Sequence, residues 1–143
     1  MGLSQNVQVT QIMGYTAAGV TAQTSDIIDM SGYDGVMFIA EFGTVIENGT
    51  INVQVLQNTA NSTSGMTAVS GTAAYTIKAA DAAKGKNCIV VDVFQPTKRF
   101  LEAVVTPATQ NAVITGVTAI QYNGKDRPKV GAGLKTTYLQ SPE

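Results

Sequence analysis

The sequence has no histidine, no tryptophan and a single cysteine, Cys88. Without histidine, Ser-His-Asp and Cys-His catalytic arrangements are excluded. The Cys and His sets that hold structural or catalytic zinc are excluded as well. One cysteine cannot close an intrachain disulfide, so packing alone must hold the fold. Cys88 lies in the apolar run Cys88-Ile89-Val90-Val91, where a small buried core residue is expected. Charge is also scarce: 13% of residues are charged, about half the usual ~25% share, and Thr, Ser, Asn and Gln supply the polarity instead. Such a surface suits sheet faces and surfaces that a partner covers. Residues 1–77 contain no Lys or Arg, only Asp26, Asp29, Asp34, Glu41 and Glu47, whereas residues 78–143 hold all nine basic residues against five acidic ones. The positive half is dispersed and has few aromatics interleaved, so no nucleic-acid partner is expected. The asymmetry better suits complementary faces of packed subunits.

Long apolar runs are missing too. Nothing approaches the roughly 18 consecutive apolar residues of a membrane span, and no membrane partner is expected. The first residues lack the basic and apolar regions of a signal peptide. Met1 is read as the start, and folding in a cytoplasm is the expectation.

What the sequence does contain is short β-branched runs separated by Gly, Asn, Asp and Ser. Strands are predicted at residues 7–12, at a stretch reaching 27–30, and at 36–42, 51–57, 74–79, 88–94, 100–106 and 112–122. In 36–42 the pattern places Val36, Phe38, Ala40 and Phe42 on one face and Met37, Ile39 and Glu41 on the other. In 51–57, Ile51, Val53 and Val55 alternate with Asn52 and Gln54. Gly116 within the last run signals a bulge or bend. Asn48-Gly49 between two strands predicts a hairpin turn, and Pro96 stops the sheet between the runs on either side of it. Residues 58–73 form the longest loop, and 79–83 make at most one helical turn. About eight strands in one domain imply an all-β fold of two packed sheets, a single-domain β-sandwich of jelly-roll-like form. Three parts are expected: an N-terminal arm or edge strand over 1–12, the sandwich domain over 13–123, and a C-terminal tail over 124–143. The tail, polar and basic from Gly124 to Lys129 and then flexible at Gly131-Ala132-Gly133, is either an extended arm or a disordered terminus.

The remaining motifs do not assemble a catalyst. Gly131 to Thr136 misses the phosphate-loop spacing. Asp26, Asp29 and Asp34 miss the calcium-loop spacing. Asp92 and Glu102 are the candidate carboxylate pair of a glycosidase, but each is better read as the polar face of a half-buried strand or a partner of Lys98 or Arg99. Asn48-Gly-Thr50 and Asn61-Ser-Thr63 match a short glycosylation pattern. No enzyme activity, cofactor or metal is expected.

Asp29-Met-Ser-Gly-Tyr-Asp-Gly-Val-Met-Phe-Ile39 followed by Phe42-Gly43, Val91-Asp-Val-Phe-Gln-Pro-Thr-Lys-Arg-Phe100, Asn111-Ala-Val-Ile-Thr-Gly-Val-Thr-Ala-Ile-Gln-Tyr122 and the ending Lys125-Asp-Arg-Pro128 resemble segments of small virion proteins of tailed bacteriophages. The likeness covers most of residues 26–129 and is to the head decoration, or cement, proteins. It implies a β-sandwich bound to the outside of the capsid as a homodimer or homotrimer, with the major capsid protein as partner. Such a protein ties neighbouring capsomers together on the virion exterior after assembly in the host cytoplasm. The terminal arms, with Leu3, Val7, Arg127, Lys129, Tyr138 and Leu139, are the expected contact residues. The alternatives are a head–tail connector or tail subunit, and a carbohydrate-binding sandwich.

Overall fold

The computed structural model describes residue 3 and residues 6–69 and 71–123. Strands follow one another as β1 (Val7–Met13), β2 (Thr16–Gly19), β3 (Gln23–Thr24), β4 (Ile28–Asp29), β5 (Gly35–Val45), β6 (Thr50–Asn58), β7 (Thr67–Ala68) and β8 (Ala73–Thr76). The helical segment α1 (Ala79–Lys84) precedes β9 (Asn87–Phe94), β10 (Phe100–Ala108) and β11 (Ala112–Tyr122). Asp81 caps α1 by accepting the Lys78 backbone N–H at 3.0 Å and the Tyr75 hydroxyl at 2.5 Å.

Two antiparallel sheets form a β-sandwich. The first runs β1-β11-β5-β9, with β2 continuing β1 along β11. The second runs β3-β10-β6-β7, with β4 continuing β3 along β10 and β8 pairing with β6 beside β7. Each layer is therefore four strands wide. The pairs nest: β6 with β7 and β8, then β5 with β9, then β3 and β4 with β10, then β1 with β11. A long hairpin closed at residues 59–66 and rolled over on itself has this order, which is the jelly roll.

Alternation fills the space between the layers. Val36, Phe38, Ala40 and Phe42 of β5 face Ile51, Val53 and Val55 of β6 and Leu101, Ala103 and Val105 of β10 in one buried cluster. Ser25 bridges the break between β3 and β4, where its hydroxyl accepts the Ala103 N–H at 2.8 Å and donates to the Asp26 carbonyl at 2.9 Å. The predicted irregularity at Gly116 is present as a register shift between Ile114 and Gly116 along β5. A Cβ on Gly116 would press on the Met13 carbonyl.

Three sequence expectations are corrected. Asn48-Gly49 does not close a hairpin, because β5 and β6 lie in different sheets. Asn48 does take the left-handed conformation, φ 71°, but the turn carries the chain from one layer to the other. Ile77 pins it by accepting the Asn48 N–H and donating to the Gly49 carbonyl. Residues 58–73 are not all loop, since β7 lies within them. Cys88 is exposed: the β5–β9 register sets it opposite Glu41, leaving Ile89, Val91 and Val93 to face inward.

Candidate functional site

The outer face of the first sheet can be built row by row from its register, because directly paired residues share a face. Val7, Tyr122, Gly35 and Phe94 form one row. Val9, Ile120, Met37 and Asp92 form the next, and Gln11, Thr118, Ile39 and Val90 the third. Gly116, Glu41 and Cys88 end it. The face is apolar at its centre, with two acidic residues and no cation. An antiparallel sheet with one face in water normally alternates apolar and polar residues. Here Phe94 is 59% exposed and Val90 50% exposed. The outward rows of the second sheet are mixed: Thr24, Gln54, Asn52, Thr106, Thr50 and Thr76 stand among Phe100, Leu56, Val104, Ala74 and Ala108.

One end of the apolar face is organised around a glycine. Tyr122 reaches from β11 across β5, and its hydroxyl donates to Asp92 Oδ1 on β9 at 2.6 Å. The ring passes over Gly35, where any Cβ would overlap it. The Tyr122 and Phe94 rings lie parallel with centroids 6.5 Å apart. Burial first, and the bond to the Asp92 carboxylate second, push the Tyr122 phenol up to about 12.

β9 ends the first sheet, and its outer edge has no strand partner among the described residues. β7 and β8 end the second sheet on the same side. Between the two edges lies a groove of about 510 Å³ lined by Val55, Val69, Ala73, Val91 and Val93 among others. No Lys or Arg lies in any of the described strands. Charged residues, Lys above all, are a common guard against edge pairing, and β9 has Asp92 alone.

Of the sequence-predicted contact residues, Leu3 and Val7 are among those described. Leu3 is 72% exposed. Val7, opposite Tyr122, is 7% exposed, so its side chain is covered within its own chain. Arg127, Lys129, Tyr138 and Leu139 lie outside the described residues. Asp92 and Glu102 sit on the outer faces of opposite sheets, so they do not flank a common cleft. Glu102 is fully buried beneath the 59–66 turn, where Oε2 accepts the Thr63 hydroxyl at 3.1 Å and Oε1 has no partner. Its partner is thus neither Lys98 nor Arg99. Lys98 donates to the Thr67 hydroxyl at 3.0 Å. Arg99 grips Asp29 with two bonds of 2.8 Å and stands 5.0 Å over the Phe100 ring. That grip holds the Asp29 carboxyl below its ordinary range and raises the Arg99 guanidinium further. Among the described residues no group of His, Cys, Asp and Glu is placed to hold a metal ion, and no helix is long and apolar enough to cross a membrane.

Sequence reasoning missed the apolar outer face. Its signal was the near-continuous apolar character of 36–42, 88–94 and 112–120, where a one-sided strand would alternate strictly.

No family model matches the chain, and no curated protein matches it. Among solved structures it is similar to the crystal structure of dimeric latent PorU from Porphyromonas gingivalis, at 5% identity and a TM-score of 0.48, covering 82% of this chain. The chain spans 13% of the length of that protein.

Proposed function

We propose that this chain is a structural virion protein that binds the outer surface of a tailed-phage capsid as a homo-oligomer and stabilises contacts between capsomers. The observation that carries the reading is an apolar sheet face ending in the edge strand β9, which has no strand partner among the described residues. The sequence resemblance to head decoration proteins names the partner: the major capsid protein. Repetition on an icosahedral shell multiplies modest contacts into firm attachment, so a small sandwich with few charges suffices. The residues proposed for contact with the shell remain the terminal ones, Leu3, Arg127, Lys129, Tyr138 and Leu139.

The test mixes purified protein with heads that lack it and follows binding by electron microscopy and heat resistance. Symmetric density over the head and a raised disruption temperature are the expected result. Density at the portal vertex alone replaces the reading with a connector or tail subunit. Binding to glycans and not to heads replaces it with a carbohydrate-binding module. Deleting residues 130–143 is expected to weaken attachment while far-ultraviolet circular dichroism keeps its β-sheet form; unchanged attachment refutes the role of the tail.

A further inference from the structure

We infer that the apolar outer face of the β1-β11-β5-β9 sheet is the surface through which two copies of this chain pack against each other, sheet on sheet about a two-fold axis. This gives a location to the self-association that the proposed function calls for and rests on that reading for its role in a virion. The geometry behind it is independent.

Four strands at about 4.8 Å spacing, each presenting about seven residues at about 3.4 Å rise, make a face of roughly 20 by 25 Å, or about 500 Å². Two such faces together bury about 1,000 Å², the level at which specific contacts between proteins begin. The outer edge of β9, which no described strand pairs with, and the side of Phe94 add to that.

The distribution of polarity also fits an interface. Val9, Ile120, Met37 and Ile39 occupy neighbouring rows at the centre. Glu41 stands in the last row beside Cys88, at the margin, where polar groups remain wet in an interface. Asp92 is the one carboxylate nearer the middle, and it already accepts the Tyr122 hydroxyl, so a covering partner does not leave it without a hydrogen bond. No cation lies on the face to be desolvated.

A second copy is the occupant the pattern favours. A face bearing acids and no bases offers no charge complement to itself, but its two inner strands need none: in the middle rows β11 and β5 present Ile120, Thr118, Met37 and Ile39, and the one charge there, Asp92, stands on the edge strand β9. Two such faces are self-complementary, as a two-fold contact requires. Two twisted sheets of this width pack face to face with their strands about 30° apart. The more polar outer face of the second sheet, with Thr and Asn beside Leu56 and Val104, is then left outward on each copy.

The experiment is sedimentation velocity of the full chain across a concentration series, for wild type, Met37→Lys, Val90→Lys and a control, Thr106→Lys, on the outer face of the second sheet. Circular dichroism and thermal unfolding report whether each variant folds. The expected result is a wild-type dimer, an unchanged dimer for Thr106→Lys, and at least a tenfold rise in the dimer dissociation constant for the other two. Cys88, the single thiol at the margin of the face, supplies a readout that needs no folded variant: in wild type its maleimide labelling is expected to slow as concentration rises through dimerisation. A wild type that stays monomeric, or a dimer indifferent to both lysines, overturns the inference. So does a monomer whose Cys88 is slow at every concentration, which assigns the face to the tail of the same chain. Protection appearing only when heads are added assigns it to the capsid and overturns it equally. A monomer that still decorates heads refutes this inference alone; an intact dimer that ignores heads refutes the capsid reading alone.

Discussion

At the residue scale, Gly35 and Tyr122 act as a unit. The ring can lie across β5 and reach Asp92 only because position 35 has no Cβ. Gly35→Ala is expected to lift the ring, break the bond to Asp92 and cost about 1 kcal/mol of stability, read by chemical denaturation. The same change brings the phenol down from about 12 toward its ordinary value, which spectrophotometric titration of the tyrosines detects. Asp92→Asn is expected to lower it only in part, because burial is the larger cause of the shift. A phenol raised by folding contributes stability that is complete below its ordinary value of 10.0 and is lost as pH climbs toward about 12. The Asp29–Arg99 pair works in the opposite sense. Its carboxyl is depressed, so its contribution is present above the ordinary value of 3.8 and fades as pH falls below it. Arg99→Ala is expected to lower the melting temperature slightly at neutral pH and in low salt, and not at all in strong acid. The effect is small because both side chains are about half exposed, 57% and 44%, where solvent screens the pair.

At the element scale, the 59–66 turn is a flap over the second sheet. Asn58 holds it by donating to the Ser62 and Ser64 carbonyls at 2.8 and 2.9 Å, and Thr63 closes it on Glu102. Asn58→Ala is expected to cost about 1–3 kcal/mol, the loss of two bonds in a buried setting. It should also open Glu102 to solvent, which faster amide exchange across residues 59–66 would report. Thr63→Val removes one bond from the buried carboxylate and leaves the turn otherwise tied, so its exchange pattern should change less. Equal exchange in Asn58→Ala and wild type contradicts the assignment of Asn58 as the holder of the flap. β9 differs from β5 and β10, which pair on both sides. Its edge is the place where a further strand could add.

At the scale of the whole molecule, the nested pairing sets the folding problem. β1 lies beside β11, so the first strand waits for the last. Closing long loops before contacts form is slow, and jelly-roll topology places folding in roughly the millisecond-to-second range typical of non-local β proteins. Stopped-flow refolding followed by tyrosine fluorescence is expected to fall there; microsecond folding contradicts the dominance of these distant pairs. The two faces of the sandwich also differ in balance: Thr, Asn and Gln interleave with Leu56, Val104 and Phe100 on the second sheet, whereas apolar residues dominate the first. The latter is the side where assembly is proposed.

The amino-acid sequence by itself determined the class of fold. Period-2 runs such as 51–57 and the Val36, Phe38, Ala40, Phe42 face encode strands and one apolar side, because side-chain direction along a strand is a local property. The absence of histidine likewise excluded histidine-based sites within this chain before any contact was known. Tertiary structure alone decided what depends on partners far along the chain. Asn48-Gly49 makes a turn in either setting, but β5 has both edges taken by β11 and β9, and β6 by β10 and the β7–β8 segment, so the turn must cross between sheets. In β9 both faces are apolar, Cys88 and Val90 on one and Ile89 and Val91 on the other, and the local pattern cannot choose between them. The register against β5 chose, setting Cys88, Val90 and Phe94 outward. The same register assembled the outer apolar face from strands separated by up to a hundred residues, through pairings that no single stretch of sequence contains.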